Sequence, residues 1–442
     1  MKNITFIIFG GTGDLAKRKL APALAKLLDL KRISSDSNII GIGRSDFNDK
    51  LYKEELLKFS SDSQKKIIRK LKISYFRGDV SKGLNGLEKL LNKLEKGKSC
   101  DRIFYLSTSF NLFGKITKEL DRLGLNCVKN GCSTKVVFEK PFGRDLRSND
   151  SFEKEIHKVF KESQIFRIDH YVGKETISNL NTLKFENPVF ESVLNKNQVD
   201  RIEVIVDENL KVGKRIFFYN DFGALKDMVQ SHLLQVLSLL LMNRPKSFNA
   251  EDIHKEKTKA LKSLTLQKYN THLLGQYVGY SEELDKYGLR DNGVDTFVKI
   301  KLKSNLKRWK GVDISLRTGK ALKNKFGKII VTFKHKSDMG CLPNQLEINI
   351  QPIQDINLLV NISKNGVCER IKMEFCHACR FGPNSSDGYE IMLNDVIKGD
   401  HTLFTTVEEN RASWKIIGDF EKIRKKVKFI KYNVGTDPEL NN

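Results

Sequence analysis

Two kinds of hydrophobic patterning divide the chain. Over roughly its first third, short continuous apolar runs alternate with stretches of helical spacing. Ile4–Phe9 is close to uniformly apolar, as a strand buried on both faces requires. Leu15–Leu30 follows with Leu20, Leu24, Leu27 and Leu28 on a helical stripe and Pro22 in the early turns. Asn38–Ile42 predicts a second strand, Leu51–Phe59 and Gln64–Leu71 predict helices, and Ile73–Phe76, Arg102–Leu106 and Val136–Phe138 predict further strands. Repeated strand–helix units of this kind predict an α/β domain, a Rossmann-like doubly wound parallel sheet.

After about residue 175 the pattern changes. Val199–Val206, Thr296–Leu302, Gly311–Arg317, Lys328–Phe333, Gln345–Ile350 and Asn357–Ile362 read as strands, several with period-two alternation. Long helices remain at Gly223–Met242 and Asn410–Lys425. Consecutive strands with short turns predict an α+β domain built on a large, mainly antiparallel sheet. The expected division is therefore 1–175 and 176–442, with no repeat or low-complexity segment.

Composition narrows the class. The 442 residues allow two or three domains, and 39% hydrophobic with 30% charged residues excludes a disordered or collagen-like chain. No apolar run nears the ~20 residues of a membrane span. Ile4–Phe9 leads straight into glycines and reads as a strand rather than a signal segment. A soluble, cytoplasmic protein without membrane partners is expected. The net charge of +24 raises the question of nucleic acid. Most of the basic residues are scattered Lys rather than Arg, without aromatic interleaving, so no nucleic-acid partner is expected. The densest basic run, Lys422–Lys428, alternates with Ile423 and Val427 and reads as the end of an amphipathic helix. Small anionic substrates suit such a surface. Seven Cys, an odd number, suggest reduced thiols. Cys376 and Cys379 form a CxxC around His377, but Cys341 and Cys368 are poorly placed as a second pair, and no metal is expected.

Gly10-Gly11-Thr12-Gly13-Asp14-Leu15-Ala16 lies between the first strand and the first helix. Read from Gly11 it is GxGxxA, a dinucleotide fingerprint in which backbone without Cβ lets pyrophosphate reach N–H groups at a helix N-terminus. At the end of the second strand, NAD sites usually carry Asp or Glu. Here Gly41-Ile42-Gly43-Arg44-Ser45 offers the Arg44 fork for a 2′-phosphate, with Asp46 close by, so NADP is preferred. Arg167-Ile168-Asp169-His170-Tyr171-Val172-Gly173-Lys174-Glu175 gathers an acid, a His, a Tyr and a Lys at the domain junction. On a helix, His170 and Lys174 would share a face and clamp an anion. Asp227 and His232 open the apolar helical run ending at Met242, and a carboxylate–imidazole pair can make a neutral general base.

The segments GGTGDLAKRKL at 10–20, FEKPFG at 138–143, FRIDHYVGKE at 166–175 and DMVQSHLLQ at 227–235 resemble the glucose-6-phosphate dehydrogenase family. LRTGKAL at 316–322, PNQLEINIQP at 343–352 and DGYEIMLNDVIKGD at 387–400 extend the resemblance over nearly the whole length. It implies that 1–175 binds NADP and that 176–442 binds substrate and forms a homodimer or homotetramer. It implies oxidation of glucose 6-phosphate at C1, with His232 as general base and Asp169 orienting it. His170, Tyr171 and Lys174 would hold the 6-phosphate. Lys140 would sit between cofactor and sugar, and Pro141 would align the nicotinamide. Glu208, Asp227, Lys320 and Lys325 match sugar-binding positions, and Lys19 a position near the reacting carbon. Thr12 and Arg44 match positions for the 2′-phosphate.

The chain also departs from the family. Ser107-Thr108-Ser109-Phe110-Asn111 replaces a loop that usually carries proline, Lys325 stands where relatives often have Arg, and the stretch after Pro352 is short. That shortening leaves a second, structural NADP site open. A two-domain dehydrogenase of non-phosphorylated sugars is the alternative enzyme, but neutral sugars give no reason to gather His170 and Lys174. A non-enzymatic basic binding protein is the third reading, and the scattered Lys speaks against it.

Overall fold

A computed structural model describes residues 2–96, 101–127, 133–338, 340–376 and 388–439. Contacts divide the chain into two units. The first takes the described residues of Met1–Gly143, Arg147–Gly173 and Ser386–Thr406, and the second those of Arg144–Leu146, Lys174–Ser385 and Val407–Asn442.

The first unit is built on six parallel strands: β1 (Ile4–Phe9), β2 (Asn38–Gly43), β3 (Lys72–Arg77), β4 (Asp101–Leu106), β5 (Thr134–Phe138) and β6 (Ile165–Arg167). Their order is β3-β2-β1-β4-β5-β6, the doubly wound arrangement expected. Every residue of β1 is buried, which is why its apolar run is unbroken. The helix expected at Leu15–Leu30 starts with a π-helical turn, Ala16–Leu20, and continues as the α-helix Ala21–Asp29. Pro22 sits in its first turn, where a missing N–H costs nothing.

One helix of this unit was not placed here by sequence. Gly388–Lys398 contributes Tyr389, Met392, Leu393, Val396 and Ile397 to the core beside β1 and Leu24. A single cut after residue 175 misses this return of the chain, because helical periodicity says which face is apolar but not which core receives it. The buried Arg167 fixes the end of β6, pairing with Glu153 at 2.6 Å and Glu162 at 2.8 Å, while Thr405 N–H donates to its carbonyl at 3.2 Å.

The second unit carries a ten-stranded mixed sheet. Its strands are β7 (Val199–Asp207), β8 (Leu264–Leu266), β9 (Leu273–Tyr277), β10 (Phe297–Ser304), β11 (Asp313–Gly319), β12 (Phe326–Phe333), β13 (Gln345–Gln351), β14 (Asp355–Lys364), β15 (Val367–Cys376) and β16 (Lys428–Tyr432). The order is β15-β14-β13-β12-β7-β11-β10-β9-β16, with β8 also on β10. All pairings are antiparallel except β7 with β11 and β9 with β16.

The long apolar helix expected at Gly223–Met242 is interrupted. Gly223 has φ +62°, Leu225–Leu233 is π-helical, and Leu234–Leu241 is α-helical. Lys422–Lys428 holds the end of a helix, as its alternation suggested, and then turns into a strand. The helix Val407–Ile423 stops, a 3₁₀ turn spans Arg424–Lys426, and Lys428 opens β16, paired with β9. That pairing is long-range and leaves no local trace. The expectation of reduced thiols also fails at one pair: Cys341 and Cys368 form a disulfide, Cα atoms 5.4 Å apart. Cys376 is disulfide-bonded as well, and His377 and Cys379 lie outside the described residues.

Candidate active site

In the first unit, the loop Gly10–Leu15 closes tightly after β1. The N–H groups of Gly10 and Gly11 both donate to the Ile42 carbonyl at 3.0 Å, and Gly13 N–H to Gly10 O at 2.9 Å. Gly10 takes φ +76°, and a Cβ on it would collide with the Ser107 carbonyl. A Cβ on Gly11 would lie 2.8 Å from Gly41 Cα and from the hydroxyl of Tyr52, which donates to Gly11 O at 3.2 Å. The glycines thus let β1, β2 and the helix that follows converge, leaving the first-turn N–H groups of that helix aimed outward. Gly13 and Asp14 are exposed. Although Ser107–Asn111 lacks the usual proline, Ser107 N–H still donates to Phe9 O at 3.0 Å and seats the loop against Gly10.

Arg44 stands exposed just past β2. A Cβ on Gly43 would lie 3.4 Å from the Thr12 hydroxyl, so Thr12 faces the end of the same strand. The nearby Asp46 is paired with Arg77 at 2.9 Å, which offsets the one acid that could repel a phosphate there. A dinucleotide with a 2′-phosphate fits this cradle.

Lys140 follows β5 with a cis bond to Pro141. Beside it, Glu139 accepts from Tyr105, and burial pushes its carboxyl above the usual carboxylate range. Hydrogen bonds from Tyr105 and Tyr389 and the Lys140 charge oppose that rise. Asp169 is buried after β6, where its carboxylate accepts the Tyr171 N–H at 3.0 Å. The His170 ring lies nearly parallel to Tyr389, centroids 5.9 Å apart.

The helix on which His170 and Lys174 would share a face is absent. Residues 170–173 form a turn, and Lys174 is the N-cap of the short helix Glu175–Ser178. The reason is steric. A Cβ on Gly388 would lie 2.8 Å from His170 O, and one on Gly173 would lie 2.7 Å from Gly388 O, so the turn is pressed flat against Gly388. His170 belongs to the first unit and Lys174 to the second.

The second unit holds four further candidates, buried or half-buried. Glu208 follows β7 and pairs with Lys320, which follows β11. The backbone ties both: Glu208 N–H donates to Gly319 O at 3.0 Å, and Tyr432 donates to Lys320 O at 2.7 Å. The side chain of Asp227 is fully buried and accepts from Arg215 Nη2 at 3.2 Å on each oxygen. The charge of Asp227, more than any other cause, holds the Arg215 guanidinium above its ordinary range. His232 is buried on the same π-helical segment as Asp227. Lys325 is exposed just before β12, and Lys19 is exposed on the first π turn.

Arg215 and Tyr219 were not singled out by sequence. Tyr219 is buried, and its hydroxyl is raised by burial first and by Asp227 next. Neither has a motif. Their signal is the nearby Asp227, paired with Arg215 twelve residues before it, which only the fold reveals. Among the described residues, no cluster of three or more His, Cys, Asp or Glu could hold a metal ion, and no helix is long and apolar enough to cross a membrane.

The chain matches two family profiles, "Glucose-6-phosphate dehydrogenase, NAD binding domain" over residues 7–179 and "Glucose-6-phosphate dehydrogenase, C-terminal domain" over 181–440. It is 35% identical to glucose-6-phosphate 1-dehydrogenase of Borreliella burgdorferi, an alignment covering 99% of this chain and 95% of that protein. It is also 35% identical to the Bacillus subtilis enzyme of the same name, over 93% and 89% of the two chains. A solved glucose-6-phosphate dehydrogenase in complex with its substrate glucose-6-phosphate superposes with a TM-score of 0.88 at 30% identity. That superposition covers 100% of this chain and 96% of the other.

Proposed function

The chain belongs to the glucose-6-phosphate dehydrogenase family, and from that premise we propose how its residues divide the work. The reaction oxidises D-glucose 6-phosphate at C1 to 6-phospho-D-glucono-1,5-lactone, the first step of the oxidative pentose phosphate pathway. NADP⁺, when bound, supplies the acceptor for the C1 hydride.

His232 takes the proton from the C1 hydroxyl as the C1–H bond breaks, and Asp169 orients the imidazole and stabilises its charged form. Asp227 and Glu208, paired with Arg215 and Lys320, accept hydrogens from the sugar hydroxyls, with Lys325 at the rim. His170, Tyr171 and Lys174 hold the 6-phosphate. The Gly10–Leu15 backbone cradles the pyrophosphate, Thr12 and Arg44 take the 2′-phosphate, and Lys140 stands between the two ligands. Lys19 lies nearest the reacting carbon in this reading, and Pro141 backs the nicotinamide. The observation that carries it is the burial of Asp227 and His232 one π turn apart, beside the Glu208–Lys320 and Asp227–Arg215 pairs.

The same reading makes the first unit the NADP-binding part, with the second binding the sugar and assembling as a homodimer or homotetramer in the cytoplasm. Exposed Ile362, Val367, Met373 and Phe375 on β14 and β15 support assembly through the large sheet.

The test is absorbance at the reduced-nicotinamide band with glucose 6-phosphate, glucose, or no sugar. Lys174→Ala should raise KM for glucose 6-phosphate and leave kcat/KM for glucose nearly unchanged, since glucose brings no dianion to the site. Equal loss on both sugars would move Lys174 from phosphate binding to the chemical step.

A further inference from the structure

The segment carrying Asp227 and His232 is unusual in its winding. Leu225–Leu233 runs nine residues with π spacing, where π geometry ordinarily appears as a single turn. The winding decides what faces what. In the π register, residues i and i+5 lie one turn apart, so Asp227 and His232 occupy the same side. In an α-helix at 3.6 residues per turn, five positions would separate them by ~140° around the axis. The active-site face therefore exists only in the rarer register, and something must select it.

The ends of the helical run are held by groups outside it. At the start, Ala224 N–H donates to Asp295 O at 2.8 Å and Leu225 N–H to Asp295 Oδ2 at 2.7 Å, while Arg424 pairs with Asp295 Oδ1 at 2.5 Å. At the far end, Lys184 Nζ donates to Leu239 O at 2.7 Å and Met242 O at 3.0 Å, and Trp309 Nε1 donates to Leu241 O at 2.7 Å.

A side-chain hydrogen bond ties the middle to another helix. Gln230 Nε2 donates to Asn410 Oδ1 on the helix Val407–Ile423 at 3.0 Å, and both amides are buried, 4% and 3% exposed. Within the segment, Ser231 Oγ donates to Asp227 O at 3.0 Å. The amide pair is a poor source of stability. Net gain from such a bond is small, and Asn410 Nδ2 is buried without a partner, which costs free energy. Two apolar side chains would serve packing as well. A buried polar contact of this kind is best suited to specifying register, since slipping either helix leaves both amides unsatisfied.

We propose that Gln230, through Asn410, is a positioning residue that holds Leu225–Leu233 in the π register and so aims His232. The proposal rests on the reading of His232 as the base. Gln230→Met and Asn410→Leu should each lower kcat by about tenfold to a hundredfold, the scale of a misplacement near 1 Å, with KM for NADP⁺ unchanged. Melting temperature should hold or rise. The double variant should lose no more kcat than either single one, because the two act through one bond.

The crystal structure of Gln230→Met reads the register without reference to turnover. The expected outcome is α spacing through 225–233, and a retained π run overturns the proposal. It is overturned as well if both variants keep full kcat while His232→Asn is inactive, or if lost activity merely tracks lost melting temperature. If His232→Asn itself kept its turnover, the base assignment would fall while the crystallographic result still decided the register.

Discussion

Arg215→Met removes one charge from beside Asp227, which the proposed function places in sugar binding. The methionine keeps the apolar stem and removes the guanidinium, which reaches both oxygens of Asp227 from a single nitrogen at 3.2 Å. Hydrogen bonds to charged groups contribute about 1.5–3 kcal/mol. These two are long and share one nitrogen, and the Arg215 side chain is 54% exposed, so solvent screening brings the expected loss down to about 1 kcal/mol. In a unit of this size that is ~2–4 °C of melting temperature.

The larger effect should be chemical. With the Arg215 charge removed from beside its fully buried side chain, the Asp227 carboxylate should take up a proton at a higher pH than in the parent and cease there to accept hydroxyl hydrogens as an anion. The assay is KM for glucose 6-phosphate from pH 6 to 9. The variant's KM should be raised several-fold at low pH and fall back toward the parent value as Asp227 ionises again. A KM raised equally at every pH would mean that Arg215 itself contacts the phosphate. A KM equal to the parent's throughout would remove Asp227 from sugar binding.

Two further outcomes follow from charges elsewhere. Arg44→Ala should weaken NADP⁺ by about 1.5–3 kcal/mol and leave NAD⁺ nearly unchanged, measured by titration of each cofactor, and equal weakening would place Arg44 at the shared pyrophosphate. Lys184 is buried with its ammonium pushed well below the usual lysine range, by burial first and by Arg308 second. A depressed folded value means that the folded state sheds this proton before the unfolded chain does. The group's contribution should therefore rise with pH toward the unfolded value near 10.5 and be lost as pH falls through the folded one. Lys184→Met should flatten that slope in denaturant unfolding, and an unchanged slope would refute the assignment.

Much of this architecture is legible in the chain because local constraints and global fold agree. The unbroken apolar run of β1, the Gly10–Gly13 turn and the period-two strands of the second half each have a local cause. What was not legible depends on partners far away in sequence. The sequence reading places no element over 388–398, and the packing of the helix Gly388–Lys398 against the β1 layer assigns it to the first unit. Lys428–Tyr432 becomes a strand because β9 offers an edge. His170 and Lys174 have helical spacing, yet the close approach of Gly173 and Gly388 bends that stretch into a turn. The π winding of Leu225–Leu233 cannot be read from periodicity, since its apolar residues fit either register. Arg215 lacked any motif and appears only through Asp227.

The most direct test of the central claim is the turnover of His232→Asn with glucose 6-phosphate and NADP⁺, alongside binding of each ligand. Asparagine keeps a polar side chain of similar reach and removes the proton acceptor, so kcat should fall by ~10²–10⁴ while both dissociation constants stay near those of the parent. A variant that binds both ligands and keeps most of its turnover would contradict the assignment of His232 as the base.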